Sequence, residues 1–299
     1  MTHLPVALFN YEDGGQVTPG VYDFGKLKKG FTDVTTPPWL ILLCEAKEYD
    51  GWGKTGLLNA AKALSEQLDR PYVGELGWID RGNFGPAIFY DPQELALLYW
   101  GDTHASVPDD KRNMARFRLR NGSAEFLVVV QHWIFRSGRH RLEEAQVVDR
   151  FGNDRLPVVL GGDLNATASG LHLPQRDWAN MSYRSRGQKG RQLPDGTWSA
   201  DTDALDHLIG RWDEAGGRRI EGCGFYAVAE LAYQSGTPAN EAFLPTVNTG
   251  VGGSELLIDW LLINRHFRLV PETYRVHVPL GPPANFPSNH RLVTATLEL

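Results

Sequence analysis

Short apolar runs that stop on a polar residue recur along the chain. Residues 6–9 stop at Asn10, 39–44 at Glu45, 126–130 at Gln131 and His132, and 156–160 at Gly161, Gly162 and Asp163. The run 255–263 holds Asp259 within Leu-Leu-Ile-Asp-Trp-Leu-Leu-Ile, and 292–299 alternates apolar and polar positions. These runs are short, often β-branched and bounded by Gly or Pro, which predicts strands. Apolar residues at successive positions place side chains on both faces, so the strands are expected to be buried on both sides. Between them, 57–68 and 141–151 set apolar residues three and four apart, the spacing of helices; 222–233 and 201–212 are read as two more. Turn signals stand at Gly14-Gly15, Gly252-Gly253 and 281–283, and the polar stretch 184–198 reads as a surface loop. No repeat, low-complexity tract or linker divides the sequence. The pattern predicts one domain over 1–299 with sheets inside and helices outside, an α/β architecture.

Composition adds limits rather than detail. The 299 residues are 42% hydrophobic and 22% charged, ordinary for a globular protein with a core. Lys and Arg number 30 against 36 Asp and Glu, a net charge of −6. That sign argues against non-specific coating of nucleic acid, so a polyanionic substrate has to be held by local basic patches or by metal. Two cysteines, Cys44 and Cys223, make no disulfide framework, and Cys44 within its apolar run reads as a small buried hydrophobe. The first residues lack the basic start and apolar stretch of a signal peptide, and no run approaches the roughly 18 apolar residues of a membrane span. The expected location is cytoplasmic.

Polar residues placed just after apolar strands lie at a sheet edge, where they can converge on one cleft. Here they are Asn10, Glu45, His132, Asp163, Asn165, Asp259 and His290. The set contains amides, carboxylates and imidazoles, with no nucleophilic Ser or Cys. Oxygen-rich sites of this type suit Mg²⁺ or Mn²⁺, and a bound metal polarises a phosphoryl oxygen. Each residue alone has a plainer reading: Asp163 and Asn165 as an Asx-turn, Asn10 as a turn cap, His132 as a core histidine. Asp259 inside an apolar run is harder to set aside, because a buried carboxylate needs a partner. Gly53-Lys54-Thr55 is like the end of a P-loop, but Glu48 occupies the required upstream glycine position. Asp201-Thr202-Asp203 with Asp206-His207 reads as a capped helix start.

The ordered pieces are Leu8-Phe9-Asn10, Leu43-Cys44-Glu45, Val130-Gln131-His132, Gly161-Gly162-Asp163-Leu164-Asn165, Ile258-Asp259-Trp260 and Ser288-Asn289-His290. Together they resemble the endonuclease/exonuclease/phosphatase superfamily, the group related to DNase I. The resemblance implies a four-layer α/β sandwich: two packed, mainly antiparallel mixed sheets with helices outside. It also implies roles. Glu45, with Asn10 and Asn289, would hold Mg²⁺ or Mn²⁺. Asp163 would orient or deprotonate the attacking water, and Asn165 would donate to the phosphate. His290, held by Asp259, would stabilise phosphoryl charge, and His132 would meet the phosphate or leaving group. One position departs from the pattern: the family has Ser-Asp-His where this chain has Ser288-Asn289-His290. Asn is close in shape but neutral, so weaker metal binding is expected.

The implied activity is hydrolysis of a phosphoester, foremost a phosphodiester in DNA or RNA. A phosphatase or phosphodiesterase acting on small, sugar or lipid phosphates is the alternative, and a catalytically impaired binding module the third. Basic residues after the two central motifs are candidates for substrate contact: Arg136 and Arg139, with His140 and Arg141, and Arg184 and Arg186, with Lys189, Arg191, Tyr183 and Trp178. No protein partner is expected.

Overall fold

The computed structural model describes residues 2–78, 84–101, 113–248 and 256–299. The turn at Gly252-Gly253 and the start of the 255–263 run lie outside these residues. Two mixed sheets form the centre. The first runs in the order Arg268–Leu269, Leu292–Glu298, His3–Asn10, Leu40–Lys47, Phe84–Tyr90, Val73–Leu76, with Arg275–His277 also on Leu292–Glu298. The second runs Phe225–Ala227, Asp259–Asn264, Val158–Asp163, Glu125–His132, Met114–Leu119, Leu95–Trp100. Each sheet contains one parallel pair at its middle, His3–Asn10 with Leu40–Lys47 and Val158–Asp163 with Glu125–His132, and every other pairing in these two sheets is antiparallel.

Strand periodicity builds the layers. Leu40, Leu42 and Cys44 join Leu4, Val6 and Leu8 in the core shared with the second sheet. Ile41, Leu43 and Ala46 point the other way, with Ala7 and Phe9, onto the helices Phe24–Gly30 and Gly51–Leu68. The second helix buries Leu57, Ala60, Ala61, Leu64 and Leu68, the stripe its spacing predicts. Helices Gly138–Val148, Asp203–Ile209 and Val228–Gln234 pack with the second sheet. The result is the expected sandwich, with helices outside two sheets. No described helix is long and apolar enough to cross a membrane.

Three expectations need correction. The stretch read as a helix over 222–233 opens as the strand Phe225–Ala227, with Phe225 and Ala227 buried and Tyr226 exposed, and only then forms Val228–Gln234. The period of two wins there because Asp259–Asn264 offers an open edge for pairing. The helix over 201–212 is shorter, Asp203–Ile209, and Gly210 at φ 90° ends it before the strand Arg211–Asp213. The supposed loop over 184–198 is ordered: a helix, Tyr183–Lys189, capped by the Ser182 side chain, runs into a hairpin of Gly190–Gln192 and Trp198–Ala200. Its polar composition reflects exposure and not irregular backbone.

Candidate active site

Register brings the polar strand ends together. In the first sheet Asn10 lies beside Cys44, and in the second Asp163 lies between His132 and Asp259. The carboxyl ends of both parallel pairs therefore open on the same side. Cys44 joins them: its thiol lies 3.3 Å from the Gln131 carbonyl and accepts from the Asp163 N–H at 3.3 Å. The buried-hydrophobe reading of Cys44 holds for its burial, and the thiol also bridges the sheets.

Local backbone aims the carboxylates. Leu43 pairs with Ala87 and Ala46 with Gly85, so Cys44 and Glu45 together face Pro86. This bulge, with Glu45 at φ 63°, turns the Glu45 side chain out of the ladder and towards the cleft. Its Oε2 accepts from Asp13 N–H at 2.9 Å and its Oε1 from Asn10 Nδ2 at 3.2 Å. On the other sheet, Gly162 lets the strands approach: a Cβ there would lie 1.7 Å from the Gln131 carbonyl oxygen. Asp163 Oδ1 then accepts from Asn165 N–H at 2.9 Å, an Asx-turn that Asn165 closes at φ 50°.

Asp163 Oδ2 is the meeting point. It accepts from Asn10 Nδ2 at 3.0 Å and lies 3.6 Å from His132 Nε2 and 3.8 Å from His290 Nε2. His132 Nε2 is also 3.9 Å from Glu45 Oε1. Behind His290, Nδ1 meets Asp259 Oδ2 at 2.7 Å in a buried pair. Burial opposes the imidazolium, but Asp259, Asp163 and Glu45 outweigh it and push His290 up to about 9. Burial pushes the Asp259 carboxyl upward against the pull of His290. With three carboxylates facing it, the imidazolium is the form this geometry favours.

No family sequence model matches the chain, and no curated protein matches it by sequence. Solved structures do. An endonuclease/exonuclease/phosphatase from Bacteroides vulgatus superposes with a TM-score of 0.57 at 13% identity, over 100% of both chains. A mannosyl-6-phosphatase from Bacteroides thetaiotaomicron VPI-5482 gives 0.55 at 17% identity, over 99% of this chain and 100% of the other. A humanized TDP2 from D. rerio gives 0.58 at 12% identity, over 99% of each. The chain has the endonuclease/exonuclease/phosphatase fold.

Within that fold the residues named from sequence converge: Asn10, Glu45, His132, Asp163, Asn165, Asp259 and His290 share one connected cluster. Asn289 stands at its edge. The Ser288 hydroxyl donates to the Asn10 carbonyl at 2.7 Å and lies 3.3 Å from Asn289 Oδ1, tying this segment to the first strand. The four arginines do not join. Arg136 lies over the Phe135 ring, Arg139 pairs with Glu143, Arg186 lies over the Trp198 ring, and Arg184 is exposed. Arg141 is buried and donates to the carbonyls of Ile134, Phe135 and Gln188, so it braces a turn.

Among the described residues, a basic group that does arrive is Lys189. Its Nζ donates to the Asn165 carbonyl at 2.9 Å and to the Asn165 side-chain oxygen. Burial lowers its pKa to about 7, with Asp163 pulling up and Arg141 and Arg176 pushing down. The sequence shows Lys189 only as one member of a basic run; its place at the end of a folded helix singles it out. Asn248 and Thr246 also escape sequence reading. Thr246 Oγ1 accepts from the Ile258 and Asp259 N–H groups at 3.1 and 3.0 Å, and Asn248 holds the Ser288 carbonyl at 2.9 Å. Neither follows an apolar run, so no pattern marks them.

Proposed function

We propose that the chain hydrolyses phosphoesters with the help of a divalent cation. The observation that carries this reading is the convergence of Asn10, Glu45, His132, Asp163 and His290 at the open ends of both sheets. The donor set fits a hard cation. Asn10 Oδ1 is buried and accepts no hydrogen bond from the described residues, and Glu45 and Asp163 bring carboxylate oxygens beside its side chain. Asp163, Asp259 and His290 also bring ligand atoms within 4.8 Å of one another. Asp259 and His290 are engaged with each other, however, which leaves Glu45 and Asn10, flanked by Asn289, as the residues to hold Mg²⁺ or Mn²⁺. A bound cation supplies Lewis-acid polarisation of the phosphoryl oxygen.

The chain's own groups do the rest. Asp163 orients the attacking water and takes its proton at Oδ2. His290, cationic through Asp259, neutralises charge growing on the phosphoryl oxygens, and His132 meets the leaving side. The second N–H of Asn165 Nδ2, whose first serves the Trp133 carbonyl at 3.0 Å, donates to a phosphate oxygen.

A phosphodiester in nucleic acid is the substrate this surface favours. The segment leading from Asn165 to Lys189 and on to Trp198 carries exposed Tyr183 against Trp198, Arg186 over the same ring, and Arg176 over Trp178. Rings beside cations suit stacked bases and a charged backbone. A small sugar or nucleotide phosphate is the second reading, favoured by a cavity of about 270 Å³ lined by Arg176, Trp178, Arg191, Trp260 and Thr167, which follows Asn165 by two residues. The test assays plasmid DNA, bis(p-nitrophenyl) phosphate and sugar phosphates with Mg²⁺ or Mn²⁺, alongside Asp163→Ala and His290→Ala. Turnover lost in both variants supports the site, and turnover that survives both removes it. No turnover on any substrate favours a binding module. Affinity for DNA that falls steeply with salt identifies the nucleic-acid reading, because neutralised phosphates release counterions.

A further inference from the structure

A second cluster of ligating side chains lies away from the cleft. Asp149, His207 and Cys223 bring a carboxylate oxygen, an imidazole nitrogen and a thiol sulfur within 4.8 Å of one another. Asp149 Oδ2 is 2.9 Å from His207 Nε2, and Cys223 Sγ is 3.7 Å from that same nitrogen. A single ring N–H serves one acceptor well. The carboxylate and thiol beside one ring nitrogen place three donor atoms close enough to share a cation.

The cluster is built by the backbone. Cys223 N–H donates to the carbonyls of His207 and Leu208 at 3.2 and 3.0 Å, so its thiol hangs over the turn that carries His207. Asn153 Nδ2 donates to the Cys223 carbonyl at 2.9 Å. Gly152 permits that approach, since a Cβ there would lie 2.2 Å from the Cys223 oxygen. Asp149 follows directly on the helix Gly138–Val148, and His207 sits on Asp203–Ile209. The site therefore joins the ends of separate segments. It is also remote from the proposed active site: Glu125–His132 ends at the cleft, the 11-residue helix runs back, and Val158–Asp163 returns to the cleft. A helix of that length spans about 16 Å.

We propose that Asp149, His207 and Cys223 form a binding site for a zinc-type divalent cation, separate from the phosphoesterase centre. Thiolate, imidazole and carboxylate together are borderline-soft donors that suit Zn²⁺ and not Mg²⁺. Zinc–ligand bonds of about 2.0–2.3 Å imply tetrahedral edges of roughly 3.3–3.6 Å, so the observed separations need only side-chain adjustment. Side-chain exposures of 27% for His207 and 34% for Asp149 leave room for a water as fourth ligand. Burial and the neighbouring Asp149 hold the Cys223 thiol in its protonated form. Binding replaces the thiol proton, which leaves to solvent, by the Cys223 Sγ–metal bond. The bound cation clips the two helical segments to the start of the strand Phe225–Ala227.

Cobalt(II) added to the purified full chain tests this. The expected result is a near-ultraviolet thiolate-to-cobalt absorption with visible tetrahedral bands, lost on adding one equivalent of Zn²⁺. The same signal should vanish in Cys223→Ser and His207→Ala and persist in Glu45→Gln. The proposed active site has no thiolate among its ligands, so this band separates the two sites whatever the fate of the phosphoesterase reading. Cys223→Ser is a small, partly exposed change that keeps the fold, and its zinc affinity by competition with a chromophoric chelator should fall at least tenfold. No thiolate band in the unmodified chain, a band that survives Cys223→Ser, or unchanged zinc affinity in that variant would each overturn the proposal.

Discussion

Asn10 and Asp163 belong to different sheets, yet the Asn10 amide donates to Asp163 Oδ2 at 3.0 Å, buried between them. The same amide reaches Glu45 Oε1 at 3.2 Å. One fully buried side chain thus sets the spacing between the residue assigned to water and the residue assigned to the cation. Asp163→Asn keeps the shape and removes the charge proposed to take the proton. It is expected to lower kcat by about 10²–10⁴-fold, the usual range for losing a general base, with KM changed far less. Steady-state kinetics on bis(p-nitrophenyl) phosphate measures this, and a variant within a factor of three of the parent removes Asp163 from that role.

The pair of His290 and Asp259 predicts a pH dependence. His290 stands raised from 6.5 to about 9, with burial opposing and Asp259 chief among the charges that raise it. A group whose pKa is raised on folding stabilises the fold fully below its unfolded value and ceases to do so as pH passes its folded value. The imidazolium contribution to stability is therefore full below pH 6.5 and is lost as pH rises through about 9, while the cationic His290 available for the reaction in the folded chain declines only near the upper value. Activity should fall along a basic limb near that value. In Asp259→Asn the limb should move to lower pH, because the largest counter-charge is gone. A limb that stays in place in the variant assigns it to another group.

Asn289 gives a gain-of-binding test. Its side-chain oxygen lies at the edge of the cluster, 3.3 Å from Ser288 Oγ. Asn289→Asp adds a carboxylate charge at nearly constant shape. Mg²⁺ affinity measured by titration calorimetry should rise several-fold or more. Unchanged or weaker binding would show that Asn289 does not face the cation.

The cleft was legible in the sequence because its four parallel strands carry Asn10, Glu45, His132 and Asp163 at or near their carboxyl ends, and such ends share an edge. Asp259 stood out for a different reason, as a carboxylate with no apolar excuse, and its expected partner His290 lies at 2.7 Å. Other parts were not legible. Phe84–Tyr90 holds Gly85 and Pro86, which argue against a strand, yet Pro86 faces the bulge at Cys44 and Glu45, where the ladder is already interrupted. Lys189 reaches Asn165 only through the fold of residues 183–200, whose polar sequence resembles an open loop. Cys223, His207 and Asp149 lie far apart in sequence and follow no shared pattern, so only the folded chain brings them together.

Gly162 separates the demands of the fold from those of the chemistry. The parallel partner's Gln131 carbonyl lies where a Cβ would be, at 1.7 Å, and the carbonyl carbon follows at 2.6 Å. Both are backbone atoms in the middle of a buried sheet, so neither can swing aside as a flexible side chain would. Gly162→Ala should force the two parallel strands apart and weaken the ladder that places Asp163 beside His132. Overpacking of this kind costs about 1–3 kcal/mol or more. Denaturant unfolding should show a lower midpoint, and cation affinity at Glu45 should fall with it, since Asp163 and Glu45 share Asn10. In Asn289→Asp, by contrast, the midpoint should hardly move while cation affinity rises. A Gly162→Ala protein as stable as its parent would mean that the strands are not held at this spacing, and that the approach at Gly162 does not set the position of Asp163.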